Sequence, residues 1–236
     1  MASDIKLLEG MIKGDPENDH LLLLTSQAFS GYTLAFVEDE EPERAKALYL
    51  RAKEYGLRIL RMEDTFAQNE SASIDEFSNA VSQLDEDYLG AIFWTAFAWG
   101  GWINLSLDNP RALMELTKVQ ALMQRVVELD EAYFHAGADL FFGSIWGTKP
   151  RMLGGDPDKA REYFEKNLKI TEGKFLLTYI YYARFYAAKT LNEELFDELL
   201  EKVENTPPDV LPGYQLLNMI AKKKAEYLKL KKEEWF

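Results

Sequence analysis

Apolar side chains recur along most of this chain at intervals of three and four residues, the spacing of a helix with one buried face. In residues 45–60, one such face collects Ala45, Leu48, Tyr49, Ala52, Tyr55, Ile59 and Leu60. The 14 Gly and 8 Pro cluster between the periodic stretches. The pattern predicts an all-α protein with ten or eleven helices, near residues 4–13, 17–37, 41–63, 73–83, 86–106, 110–129, 131–147, 157–171, 174–190, 192–204 and 212–233.

Four breaks between the predicted helices share one local pattern, in which Pro follows an acidic or Asn residue. They are Asp15-Pro16, Glu41-Pro42, Asn109-Pro110 and Asp156-Pro157. An acidic or Asn side chain can cap the free N–H groups of a helix, and Pro suits the first helical position because no hydrogen bond is needed from its nitrogen. Each break therefore predicts the start of a helix.

The spacing between small and large residues resembles that of tetratricopeptide (TPR) repeats. After three of the breaks, Ala is followed four residues later by a larger apolar residue, in the pairs Ala45/Tyr49, Ala112/Leu116 and Ala160/Phe164. The preceding helices supply Ala28, Gly31 and Tyr32, then Ala98, Gly101 and Trp102, then Ala136, Gly137 and Phe141. The three Ala positions are 67 and 48 residues apart, whereas a regular TPR repeats every ~34 residues.

These spacings predict degenerate TPR-like helical hairpins with insertions, stacked as a compact solenoid. The alternative is a plain helical bundle. In either case we expect residues 1–236 to form a single all-helical domain.

Residues 88–107 form an uncharged stretch that is long enough to cross a membrane. It contains the Gly100-Gly101 pair together with Thr95 and Asn104, and its flanks are acidic rather than basic. A helix that is apolar on every side can also be the buried central helix of a helical domain. We therefore predict a buried helix and no membrane span.

Aromatic side chains are numerous, at 13% of the residues, and three of the five Trp lie in this central stretch. Small-molecule sites are usually lined by apolar and aromatic groups. The candidate lining residues of a ligand cleft are Trp94, Trp99, Trp102, Phe141, Trp146 and Tyr182. The alternative for each of them is a place in the core.

Charge and composition exclude several classes of function. With 27 Lys plus Arg against 40 Asp plus Glu, the net charge is -13, which disfavours nucleic acid or an anionic membrane as a partner. Cysteine is absent, so no thiol nucleophile or Cys-ligated zinc can form. The nucleophile, phosphate-binding and metalloprotease motifs are missing, the two His are isolated, and neither Asp139 nor Glu115 has a partner identifiable from sequence. The sequence thus predicts no catalytic site, no metal and no cofactor.

The turns and the Trp-rich helix together resemble a known family, the T component of tripartite ATP-independent periplasmic (TRAP) transporters, often called TatT. The hexamers FAWGGW at 97–102 and MLGGDP at 152–157 are far more specific than a TPR consensus. The resemblance covers about residues 5–230 and is carried by the segments 21–60, 91–110, 121–144 and 152–187.

The resemblance implies a non-enzymatic periplasmic accessory protein that binds the substrate-binding protein of a TRAP transporter as a homo-oligomer. It also implies an apolar cleft for part of a hydrophobic or organic-acid ligand. Because the chain is acidic, we expect the partner to hold the carboxylate. Family members are exported lipoproteins, and this sequence starts with neither a leader peptide nor a lipid-bearing Cys, as a mature form would.

Two other functions compete with this interpretation. A generic intracellular TPR scaffold would bind peptides along a polar groove, yet the inner helices predicted here are apolar. A small enzyme would need a buried pair of carboxyl groups with perturbed pKa values facing a pocket.

Overall fold

The computed structural model describes residues 2–148 and 151–236, and every regular element in these ranges is helical. The all-α prediction is therefore confirmed. The chain divides into two compact units, Met1–Glu131 (unit 1) and Ala132–Phe236 (unit 2). The expectation of one domain over residues 1–236 stays a prediction.

Unit 1 contains seven α-helices, α1 (Ala2–Gly14), α2 (Asp19–Phe36), α3 (Pro42–Leu60), α4 (Asp64–Asn69), α5 (Ile74–Gln83), α6 (Leu89–Asn104) and α7 (Pro110–Leu129). The Asn109 side chain caps α7 by accepting from the N–H of Arg111, and Pro110 is the first helical residue, as predicted. The start of α2 differs from the prediction because Asn18, rather than Asp15, provides the cap. Glu41 makes no side-chain capping bond before α3.

Helices α2, α3 and α6 pack in antiparallel order. Ser26 of α2 donates to the backbone oxygen of Ala52 in α3 at 2.9 Å. From α3 to α6 the contacts run in opposite directions along the chain, Tyr49 lying against Gly101 and Gly56 against Thr95. Hairpins of this kind agree with the predicted pairing of small and large residues. Their stacking into a TPR solenoid stays a prediction.

Unit 2 contains α8 (Tyr133–Thr148), α9 (Pro157–Ile170), α10 (Leu177–Tyr182), α11 (Glu193–Asn205) and α12 (Gln215–Trp235). A π-helix at Ala183–Ala187 continues α10. The described ranges thus hold twelve α-helices against the ten or eleven predicted, because the short α4 is a separate helix in a segment that the periodicity did not resolve. Helices α8 and α9 are antiparallel, with Gly143 against Phe164 and Gly147 close to Ala160.

A left-handed turn opens α8. Phe134, His135 and Ala136 have φ of 45°, 60° and 53°, a conformation that costs a non-glycine residue about 1–2 kcal/mol. The side-chain amide of Asn167 in α9 donates to the carbonyl oxygens of His135 and Ala136, at 2.8 and 2.9 Å. These bonds hold the turn in place, and Asn167 is itself fixed because its Oδ1 accepts from Thr178 at 2.6 Å.

The apolar stretch at 88–107 folds into α6, which is buried along most of its length. Over the described ranges, no helix has both the length and the apolar character to span a membrane. This agrees with the prediction that the Trp-rich segment is a buried helix.

Candidate functional site

The six predicted cleft residues divide between the two units. Trp94, Trp99 and Trp102 lie on α6 in unit 1, whereas Phe141, Trp146 and Tyr182 lie on α8 and α10 in unit 2. Their environments differ, and each set is described within its own unit.

Trp99 forms the centre of a polar cluster in unit 1. The Lys53 ammonium of α3 lies 3.4 Å from the centre of the Trp99 ring system and 6.0 Å from that of Trp102. Glu115 of α7 completes the cluster, because its Oε2 accepts from Trp99 Nε1 at 2.6 Å and from Lys53 Nζ at 3.3 Å. A donor from α3 and a donor from α6 therefore converge on one carboxylate oxygen of α7.

The Lys53 side chain is only 16% exposed, whereas that of Glu115 is 38% exposed. Burial lowers the pKa of Lys53, and the negative charge of Glu115 opposes this shift. The ammonium is stabilised by the indole face, which attracts cations through its quadrupole. Trp99 is itself buried, at 4% exposure, so Lys53 places its positive charge against an enclosed ring, and Glu115 is the most exposed of the three.

Two neighbouring carboxylates, Glu54 and Glu70, also act on Lys53 electrostatically. Both are held by Arg61, which donates from Nη1 to Glu54 at 2.6 Å and from Nε to Glu70 at 2.5 Å. These bonds raise the pKa of Arg61, that to Glu70 contributing most. Arg61 offsets only part of the negative charge of these two acids, and Glu115 is the carboxylate that directly pairs with Lys53.

The other two Trp of α6 are placed differently. Trp94 is buried and packs edge-on against Phe93 with ring centres 5.3 Å apart, and against Phe97 at 5.4 Å. Such packing is typical of a core residue. Trp102 is only partly buried and packs beside the apolar cluster formed by α1, α2, α3 and α6. Of the three, Trp102 offers an apolar surface next to the Lys53 cluster.

In unit 2, Tyr182 is buried and stacks on Phe164 with ring centres 5.0 Å apart. Burial raises its pKa, and the nearby Glu165 adds to this shift. Phe141 is half-buried beside Phe142, at 5.3 Å. Tyr182 therefore has the environment of a core residue, and Phe141 lies at its margin.

Trp146, half-buried, lies under the Lys159 ammonium at 4.6 Å. Lys159 also lines a solvent-open depression of about 220 Å³ on α9, together with Glu162, Tyr163 and Lys166. Lys166 Nζ is 3.1 Å from Oδ1 of the buried Asp139. The depression is open to solvent, and the aromatic-lined cleft expected from the sequence stays a prediction.

The lysines and their acids were not identified as site residues from the sequence. Lys53 and Glu115 are 62 positions apart, and Asp139 and Lys166 are 27 apart. The spacing of apolar residues assigns each of these side chains to a helix face, but it does not show which neighbouring helix the side chain contacts. Within the described ranges, no group of three or more His, Asp or Glu side chains is arranged to hold a metal ion.

Comparison with known proteins decides the family. The family model described as "TRAP transporter T-component" matches residues 1–236, the full length of the chain. The chain belongs to this T-component family. Membership gives it an accessory role in TRAP transport and an association with a TRAP transporter system.

A relative from Treponema pallidum (strain Nichols), described as an uncharacterised protein, is similar to this T-component chain over nearly all of its length. The two are 22% identical over 248 residues, covering 98% of this chain and 77% of the relative. The full-length family match confirms, at the level of the family, the resemblance found from the FAWGGW and MLGGDP segments.

Proposed function

We propose that this T component is a non-enzymatic periplasmic protein that binds the substrate-binding protein of a TRAP transporter. In this proposal it also shelters the apolar part of an organic-acid ligand against its aromatic side chains. The full-length family match carries the transport role. The partly buried Trp102 beside Trp99 is the observation that favours ligand contact in unit 1.

The proposal extends to assembly and location. Helical hairpins present broad faces that can clasp a protein partner, and unit 1 is built from such hairpins. We propose a homo-oligomer, exported to the periplasm and lipid-anchored in its full-length precursor. Nucleic acid has no role in this proposal because the net charge is -13.

Partner binding can be tested directly. The chain, immobilised through a biotin tag, is titrated with the TRAP substrate-binding protein from the same genome, and with a substrate-binding protein of an unrelated ATP-driven importer as control. We expect saturable binding of the first protein and none of the second. Equal binding of both, or capture of cytoplasmic peptides alone from whole-cell extracts, would favour a generic TPR scaffold instead.

Ligand contact has its own test. Trp102→Ala should weaken binding of an apolar fluorescent probe while the protein still unfolds cooperatively. Trp94→Ala is the control for a core truncation. Because Trp94 is buried, this variant should lose about 3–5 kcal/mol of stability. If Trp102→Ala leaves probe affinity unchanged, the aromatic surface of α6 is not a ligand site.

A further inference from the structure

The Lys53 cluster contains an arrangement that a structural ion pair does not require. Two donors of different kinds, the Trp99 indole N–H and the Lys53 ammonium, converge on the same oxygen, Glu115 Oε2, at 2.6 and 3.3 Å. An oxygen that accepts from both is the position that a bound carboxylate would occupy. In this structure, the carboxylate of Glu115 itself occupies that position.

We infer that Lys53 and Trp99 form an anion anchor, which binds the carboxylate of a small organic acid where Glu115 Oε2 lies in this structure. The inference rests on the proposed ligand-binding function and names the group that selects the ligand. It assigns the carboxylate to this chain, in contrast to the expectation from net charge that the partner holds it.

Local geometry outweighs the net charge at this position. Charge interactions strengthen as water is excluded, and the Lys53 side chain is buried against an indole ring with only 16% of its surface exposed. Distant surface acids are screened by salt over about 10 Å. The nearer Glu54 and Glu70 are both paired with Arg61.

Glu115 can be replaced at low cost. Its side chain is 38% exposed, so the displaced carboxylate returns to water without being buried elsewhere. An incoming carboxylate restores both hydrogen bonds, and Trp102, 6.0 Å from Lys53 Nζ, offers its apolar surface to the body of the ligand. That additional contact favours the ligand over Glu115.

The ammonium has donor capacity for this exchange. Lys carries three N–H donors, and in the described part of the chain Glu115 is the acceptor within hydrogen-bond distance of Lys53 Nζ. Lys118 provides a natural comparison. Its ammonium lies over the Phe77 ring at 4.7 Å but donates to the backbone oxygen of Glu70, and a phenyl ring has no N–H that could join it in binding an anion.

The test uses the full chain labelled with nitrogen-15, in which the indole N–H of each Trp gives its own resonance. Trp99→Phe assigns the Trp99 signal. Hexanoate is titrated against hexanamide, which has the same apolar body and a neutral head group. We expect a saturable shift of the Trp99 signal with hexanoate and at least tenfold weaker binding of hexanamide.

Variants distinguish an anion anchor that binds a ligand from an ion pair that only stabilises the fold. Lys53→Met should weaken hexanoate binding at least tenfold, Lys53→Arg should retain it, and Lys118→Met should leave it unchanged. Glu115→Ala should bind hexanoate about tenfold more tightly, since it removes the internal competitor. Equal binding of hexanoate and hexanamide, or a Glu115→Ala variant that binds no more tightly, would overturn the anchor even where Lys53→Met does not fold.

The same samples distinguish this inference from the function on which it rests. Binding of the TRAP substrate-binding protein without a hexanoate response would overturn the anchor and leave the partner role intact. A hexanoate response without partner binding would support the anchor and contradict the partner role.

Discussion

Gly101 of α6 lies directly against the phenol ring of Tyr49 of α3, where a Cβ atom on residue 101 would come within 2.8 Å of the ring. Tyr49 is fully enclosed and its hydroxyl donates to Glu38, so the ring has no room to withdraw. Unit 2 repeats the relationship, because a Cβ on Gly143 would come within 2.9 Å of the Phe164 ring. Glycine is what lets the helices approach at both places.

We therefore expect Gly101→Ala and Gly143→Ala to destabilise the protein by about 1–3 kcal/mol each, the usual cost of overpacking a core. Urea unfolding followed by circular dichroism measures the effect. Gly31→Ala is the matched control on α2, since no atom lies within 4 Å of its built Cβ. There, helix propensity alone should stabilise by about 0.5–1 kcal/mol. A similar loss at Gly31 would show that close approach is not the cause.

The helices were predictable where the apolar residues of a single helix face define them. Spacing of apolar residues located nearly every helix, and the Ala-to-aromatic interval singled out Tyr49 and Phe164. Of the glycines in the TPR-like pattern, Gly101 lies against a neighbouring helix, whereas no atom lies within 4 Å of a Cβ built on Gly31. In unit 2, Gly143, which the TPR-like pattern did not include, lies against Phe164. Sequence spacing identifies small residues, but the partner helix decides which of them are contacted.

Long-range and strained features could not be derived in the same way. Lys53, Glu115 and Trp99 come together from three helices. The spacing of residues within one helix does not show that side chains of different helices are in contact. The left-handed turn at 134–136 contains no glycine, so the usual signal for positive φ is missing. The turn is held by Asn167, more than 30 positions away, whose side-chain amide donates to the carbonyl groups of His135 and Ala136.

Asn167→Leu should destabilise the protein by about 2–4 kcal/mol. The substitution removes the amide that satisfies the buried carbonyl groups of His135 and Ala136, and buried groups left unpaired each cost about 1–3 kcal/mol. Thr178→Val should cost less, because it leaves only Asn167 Oδ1 without a donor. Urea unfolding of both variants tests this order. The reverse order would show that Asn167 does not hold the turn.

Leu191→Gly should stabilise the protein by about 0.5–1 kcal/mol. Leu191 has φ of 55°, which is unfavourable for a side chain with a Cβ and readily adopted by glycine. Its side chain is 70% exposed, so little apolar contact is lost. Leu230→Gly is the control: Leu230 is 79% exposed in the right-handed α12, where glycine should cost about 1 kcal/mol. Thermal unfolding of the two variants should give shifts of opposite sign.

His135 should make the protein less stable as the pH falls below neutrality. Its ring is half-buried, stacked on Phe175 with centres 4.7 Å apart and edge-on to Tyr214 at 4.3 Å. Burial lowers its pKa in the folded protein, so below the unfolded value of about 6.5 the unfolded chain binds the proton more readily. His135→Phe keeps the ring packing and should flatten the fall in unfolding free energy between pH 7 and pH 5. His20→Asn, at an exposed position on α2, should leave that fall unchanged, and an equally steep fall in His135→Phe would assign the pH dependence to other groups.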